Sequence, residues 1–222
     1  MPSGGTMDKL RSIRVWDIPT RLFHWLLVLS VAGLWYTGEE GDMDRHVILG
    51  FVVLSLLIFR LFWGFWGGDL SRFKAFQLSP KTTIRFLKNG MKTDYPGHNP
   101  LGSWGVVFIL LCLTVQVVTG LFSNDSILFD GPLVRFVSGD FSSLMTTIHS
   151  INFDILLGIL AVHIAGVLFH IIFHKEDILQ GMIHGRRKIS SRYEEPDRGS
   201  WEVLAVAILV AVMVITWMLD LI

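Results

Sequence analysis

The 222-residue chain contains a single cysteine, Cys112. It can form no disulfide within the chain, and it excludes a cysteine-ligated iron–sulfur cluster and a Cys-x-x-Cys-His attachment site. Charge is also scarce: Asp, Glu, Lys and Arg make up 17%, against roughly 25% in soluble domains. Half the residues are apolar and mean hydropathy is +0.53, which argues against a water-soluble globule and for lipid as the solvent. There is no internal repeat or low-complexity tract. The first apolar run carries Arg21 and His24 and lacks a small-residue cleavage site, so it is expected to remain as a span and not be removed as a signal peptide.

What is present is five apolar runs, at residues 22–37, 46–66, 103–122, 149–173 and 201–219, each suited to a hydrocarbon core about 30 Å thick. The formal charge of zero hides an asymmetry. Lys9, Arg11, Arg14 and Arg21 precede the first run. Arg60, Arg72, Lys74, Lys81, Arg85, Lys88 and Lys92 close the second or follow it, and Lys175, Arg186, Arg187, Lys188, Arg192 and Arg198 lie between the fourth and fifth. Only Arg45 and Arg135 fall on the other side. The positive-inside rule then predicts a multi-pass membrane protein with a cytoplasmic N-terminus, with the loops at 39–44 and 124–140 and the C-terminus on the external side. In the inner loop, Ser79-Pro80 and Asn89-Gly90 bracket a short helix expected to lie on the membrane surface. In the outer loop, Gly131-Pro132 precedes a short amphipathic turn.

The placement of the eight histidines is the most informative feature. His149 is expected to open the fourth helix, and His163 follows fourteen residues later. Fourteen helical steps return to within about 40° of one face and rise about 21 Å. His46 begins the second helix at the outer level of His149. His24 lies fourteen residues before Gly38, the outer end of the first helix, and so comes level with His163. Two pairs result, His46 with His149 outside and His24 with His163 inside, each suited to bis-imidazole ligation of one iron within a bundle. Intramembrane ionisable groups are costly and normally face a partner. Zinc would be left half-satisfied by two histidines without carboxylates or thiolates.

Three segments carry a family resemblance: the run from Val15 through Trp16, Asp17, Ile18, Pro19, Thr20, Arg21, Leu22, Phe23 and His24 to Trp25, the stretch from Gly97 through His98, Asn99, Pro100 and Leu101 to Gly102, and the His149-to-His163 helix with Ala165, Gly166 and His170. Over residues 14–182 the chain resembles the bacterial cytochrome b561 family, which includes the b-type cytochrome subunits of nickel–iron hydrogenases. The resemblance implies an all-α membrane protein whose four-helix bundle binds two b haems through His24, His46, His149 and His163. The depth argument reaches the same four residues without naming the cofactor. A fifth helix is not required by that pattern. The expected organisation is a cytoplasmic tail at 1–14, a di-haem domain at 15–182, a cytoplasmic linker at 183–200 and a fifth transmembrane helix at 201–222.

Several further residues are candidates for contact with haem propionates or a quinone. Arg60 is fourteen residues past His46 and returns to the same face at inner depth; Arg21 is one turn from His24; Arg45 adjoins His46. Guanidinium can pair with a carboxylate, although all three also suit headgroup anchoring. His98 lies at the inner entrance to the third helix, where it either orients a propionate or caps the helix, and His170 is one heptad past His163. Asp154 lies off the ligand stripe and suits a hydrogen bond to a neighbouring helix or a proton relay. The tryptophans fall mostly near span ends, as interfacial anchors do.

These readings lead to electron transfer between the membrane quinone pool and a periplasmic redox partner, a c-type cytochrome or a subunit of a separate redox enzyme. The alternative is a self-contained oxidoreductase passing electrons from superoxide to quinone. Glu39, Glu40, Asp42, Asp44, Asp125, Asp130 and Asp140 outnumber Arg45 and Arg135 on the outer side, which disfavours an anionic substrate and favours docking of a basic protein. A haem-free transporter would make all four histidines incidental. No nucleic-acid partner is expected.

Overall fold

The computed structural model describes residues 10–91, 95–125, 127, 129–190 and 193–220. The stretch ahead of Met7, together with Lys9, Lys92 and Arg192 of the basic sets, lies outside the described residues. Among the described residues seven α-helices occur, α1 (Ile18–Glu39), α2 (Met43–Trp66), α3 (Pro80–Lys88), α4 (Pro100–Leu121), α5 (Gly139–Phe173), α6 (Ile178–His184) and α7 (Trp201–Leu219). Of these, α1, α2, α4, α5 and α7 are long and apolar enough to cross a bilayer, and the chain is a multi-pass helical membrane protein.

Local chemistry explains the helix starts. Asp17 Oδ1 accepts from the Thr20 amide at 2.7 Å and Asn99 Oδ1 from the Gly102 amide at 2.7 Å, each satisfying an amide that has no partner within the helix. Proline occupies the first or second position of both helices, where its missing N–H costs nothing. Ser79, expected to cap α3, makes no side-chain cap bond. The first turn of α3 is instead tied by Thr83 Oγ1 donating to the Ser79 carbonyl at 3.1 Å.

The spans pack as two hairpins, α1 with α2 and α4 with α5, which meet through α2 and α4, while α7 lies along α2. Every span contributes to one apolar core: Phe23 and Leu27 from α1, Val53, Leu57, Phe59 and Trp63 from α2, Leu113 from α4, Leu156 from α5 and Ala207 from α7. Burying such side chains contributes packing enthalpy that lipid tails cannot reproduce as closely. The exposed side of α7, with Val206, Leu209, Met213 and Trp217, faces away from this core.

Three features depart from the sequence reading. First, α5 begins ten residues before His149, where Ser138 Oγ accepts from the Phe141 amide, so His149 stands in the third turn and does not open the helix. Second, Trp63 and Trp16 are core residues, 1% and 5% exposed, and not interfacial anchors. Third, the chain has strands. β1 (Leu10–Arg14) and β2 (Arg186–Ser190) pair antiparallel, with Ile13 opposite Arg187 and Arg11 opposite Ile189. This ribbon joins part of the expected tail to part of the expected linker. Its apolar side, Ile13 and Ile189 with Val15 and Trp16, forms a second small core. The turn into β2 requires glycine: Gly185 has φ +78°, and a Cβ there would strike Trp16 O and Arg21.

Candidate functional site

The structure brings His46 of α2 and His149 of α5 face to face, with ring centroids 6.4 Å apart and planes at 70°. Two imidazoles that each place a nitrogen about 2 Å from one metal ion have centroids about 6 Å apart. The Nδ1 atoms are already engaged. His149 Nδ1 lies 2.9 Å from the Gln116 carbonyl and 3.2 Å from Thr119 Oγ1, and His46 Nδ1 lies 3.2 Å from Thr37 Oγ1. Each ring therefore keeps Nε2 for a ligand. Glycine follows each threonine, and a Cβ at Gly38 or Gly120 would come within 3.4 or 3.0 Å of the adjacent imidazole. A larger residue would displace the ring.

The inner pair is organised differently. His24 of α1 and His163 of α5 are half-buried and lie within electrostatic range of each other and of His98. His24 Nδ1 is sealed from solvent and has no partner. Other sealed donors without a partner are Arg60 Nη1, Arg21 Nε, Arg187 Nε and His98 Nδ1, and Arg60, Arg187 and His24 all lie within electrostatic range of His98. Buried donors without acceptors are rare and point to a missing polar partner.

Arg60 is 4% exposed, held with its guanidinium 4.8 Å from the Phe73 ring and 6.0 Å from Phe76, so it does not reach out as a headgroup anchor. The ring of His98 packs against Trp16 at 4.7 Å and Phe76 at 5.3 Å. Desolvation first, then the positive field of Arg60 and the nearby His163, His24 and Arg187, push its pKa down to about 3; the ring is neutral at ordinary pH. The cap on α4 is made by Asn99 and not by His98.

These donors fit a haem. Each histidine pair could hold one iron, α5 packs closely on α4 and not on α1 or α2, and Arg60 and His98 are sealed donors of the kind that propionates would need. Among the described residues no three or more His, Cys, Asp or Glu side chains converge; the donors come in twos.

Two expected contacts are placed elsewhere. Arg45 is exposed and pairs with Asp42 at 3.0 Å, because Asp42 caps α2 and Arg45 lies in its first turn. His170 is buried with both ring nitrogens taken: Nδ1 is 3.1 Å from Glu176 Oε1 and Nε2 is 3.4 Å from Asn99 Nδ2. Glu176 in turn accepts from Arg187 Nη2 at 3.0 Å, and Phe86 stacks on the imidazole. His170 is thus part of a clamp between the end of α5, the entrance of α4 and β2, with no ring nitrogen left for a propionate or a quinone. Similarly Asp154 is exposed, and it is Asn152 that bonds α4, donating to Cys112 O at 2.9 Å and Gln116 Oε1 at 2.6 Å.

Sequence reasoning missed Thr37, Thr119 and Asp17. The repeated Thr-Gly at the outer ends of the first and third runs was the available signal for the threonines. Asp17 accepts from Trp63 Nε1 at 3.2 Å and Ser71 Oγ at 2.7 Å besides capping α1, and nothing local in the sequence marks those partners.

The family model described as prokaryotic cytochrome b561 matches residues 15–185. Two relatives, from Rhizobium leguminosarum bv. viciae and Rhodobacter capsulatus, are each named probable Ni/Fe-hydrogenase B-type cytochrome subunit. Each is 24% identical over 82% of this chain, covering 91% and 86% of the relative. No solved structure matches.

Proposed function

The chain belongs to the prokaryotic cytochrome b561 family, which makes it a b-type membrane cytochrome that transfers electrons across the bilayer, and from that membership we propose that it does so through two haems, between the quinone pool and a periplasmic redox partner. The observation that carries the two-haem reading is the opposed His46 and His149 rings at 6.4 Å, with a second pair, His24 of α1 and His163 of α5, at another depth.

Haem b bound at these positions supplies a one-electron iron couple. The protein's own part is positional. His46 and His149 present Nε2 from α2 and α5, and His24 and His163 would hold the second haem further in, His163 lying about 21 Å from His149 along α5. Arg60, with its Nη1 sealed and unpaired, and neutral His98 would hold propionate oxygens, which would remove the cost of burying those donors. Arg21 is the third donor on this side. The apolar core formed by all five spans excludes water between the two depths.

The orientation is N-terminus cytoplasmic in a bacterial inner membrane, with Arg11, Arg14, Arg186 and Lys188 of the ribbon on the inner side. At the outer rim Glu39, Glu40 and Asp44 are exposed, which favours a basic protein partner over an anionic small molecule such as superoxide. The names of the two relatives favour a redox-enzyme subunit as that partner, with a basic c-type cytochrome as the other class.

Purified protein assayed as the pyridine haemochrome should give two haems per chain, extractable into acidified organic solvent. Stopped-flow mixing of the dithionite-reduced protein with a quinone analogue should oxidise both. One haem or none per chain defeats the relay; two haems that a quinone analogue leaves reduced defeat the quinone assignment.

A further inference from the structure

The two outer ligands are held by copies of one device. Thr37 Oγ1 donates to the Gly33 carbonyl at 2.9 Å and Thr119 Oγ1 to the Val115 carbonyl at 2.7 Å, each one turn back on its own helix. A hydroxyl has a single proton. Committed there, it meets the imidazole Nδ1 only as an acceptor, so Nδ1 carries the hydrogen and Nε2 the lone pair. Both threonines are buried, at 5% and 4% exposure, and water does not compete. A carbonyl three residues before each threonine adds a second acceptor: Gln116 O at 2.9 Å for His149, and Leu34 O for His46.

The inner site lacks this device on α1. His24 Nδ1 is sealed and unpartnered, while the Arg60 guanidinium bears on the same region through His98. An acceptor on the outer nitrogen of an axial imidazole raises its basicity and stabilises the more positive, oxidised iron. Nearby positive charge does the reverse and favours the reduced iron. The two effects have the same sign.

We propose that Thr37 and Thr119 are positioning residues that fix the donor face of His46 and His149 and hold the outer haem at a lower midpoint potential than the inner one, so that electrons run downhill from the outer face to the inner. This rests on the two-haem reading above. It adds an ordering of the two sites and the residues that set it.

The test is a potentiometric titration of the intact haem-loaded protein, with low-temperature EPR, on the wild type, Thr37→Val, Thr119→Val and the matching serine variants. The outer haem is identified as the one that His46→Ala removes. In the wild type it should have the lower midpoint. Each valine variant should raise that midpoint by an amount equivalent to about a tenfold change in electron partition, about 59 mV for one electron, and should move the outer EPR signal alone. Serine, which keeps the hydroxyl, should restore both. Loss of the outer haem from the valine variants with retention at the wild-type midpoint in the serine variants also supports the anchor. An unmoved midpoint in valine, an equal shift or equal haem loss in serine, or a wild-type outer haem with the higher midpoint overturns it. A haemochrome assay on the same samples separates the two levels. Two haems with unmoved midpoints overturn this inference alone, whereas fewer than two in the wild type overturn the reading beneath it as well.

Discussion

Trp63 Nε1 donates to Asp17 Oδ2 at 3.2 Å, tying the last turn of α2 to the residue that caps α1. Asp17 is 8% exposed and also accepts from the Thr20 amide and Ser71 Oγ. A carboxylate buried at a helix N-terminus with three donors is well satisfied. Asp17→Ala should therefore destabilise the bundle by about 3 kcal/mol, combining a lost cap with unsatisfied donors. Asp17→Asn should cost about half as much. Thermal scans in detergent, followed by loss of the Soret band, should rank wild type above Asn above Ala; an unchanged alanine variant would refute the hub.

The histidine roles separate by variant. His163→Ala should lose the inner haem, and His46→Ala should act mainly on the outer one. His170→Ala should keep both, because its ring nitrogens serve Glu176 and Asn99. The haemochrome yield of each variant decides, and a haem lost from His170→Ala with none lost from His163→Ala would reverse the ligand assignment.

His98 gives a pH dependence of definite sign. Its folded pKa is lowered to about 3 from 6.5, so above pH 6.5 neither state protonates it and its contribution is constant. As pH falls from 6.5 towards 3 the unfolded chain takes up a proton that the folded chain refuses. Stability then drops by at most about 1.4 kcal/mol per pH unit. His98→Gln should flatten the decline of thermal stability between pH 6.5 and 5. A slope equal to that of the wild type would show that the imidazole does not stay neutral.

The outer rim should steer a positively charged partner at a rate that falls with ionic strength, while a neutral quinone analogue should be insensitive. Asp42 caps α2 and pairs with Arg45, so neutralising it would disturb the helix start. Glu39, Glu40 and Asp44 are the residues to change. Their triple amide variant should bring the low-salt rate with a basic cytochrome down to the high-salt rate. Wild-type kinetics in that variant, with rapid reaction with superoxide, would favour the self-contained oxidoreductase.

Five spans, with the proposed cytoplasmic N-terminus, would place Asp220 on the outer side. A reporter fused after Asp220 should be active only if it folds in the periplasm; activity in the cytoplasm would mean that α7 does not cross.

Hydropathy and helical geometry act locally, and so the sequence by itself determined the five spans and brought His46 level with His149. A rise of 1.5 Å per residue carries register along a helix without knowledge of any neighbour. The lone cysteine likewise excluded a Cys-x-x-Cys-His attachment from the sequence alone. The tertiary structure decided what depends on contacts across the chain. Which imidazole nitrogen is engaged by the protein is set by Thr37, nine residues from His46, and by Thr119, thirty from His149. His170 joins the clamp because Asn99 lies 71 residues away in sequence yet within 3.4 Å. The basic segments at 10–14 and 186–190 read as juxtamembrane charge, since five residues are too few to declare a strand. They become a ribbon because packing brings Ile13 and Ile189 into one small core. Arg60 and Arg45 are alike in composition and differ only in surroundings. Folding seals one against Phe73 and leaves the other in solvent beside Asp42, and burial is a property of the assembled bundle that no single helix carries.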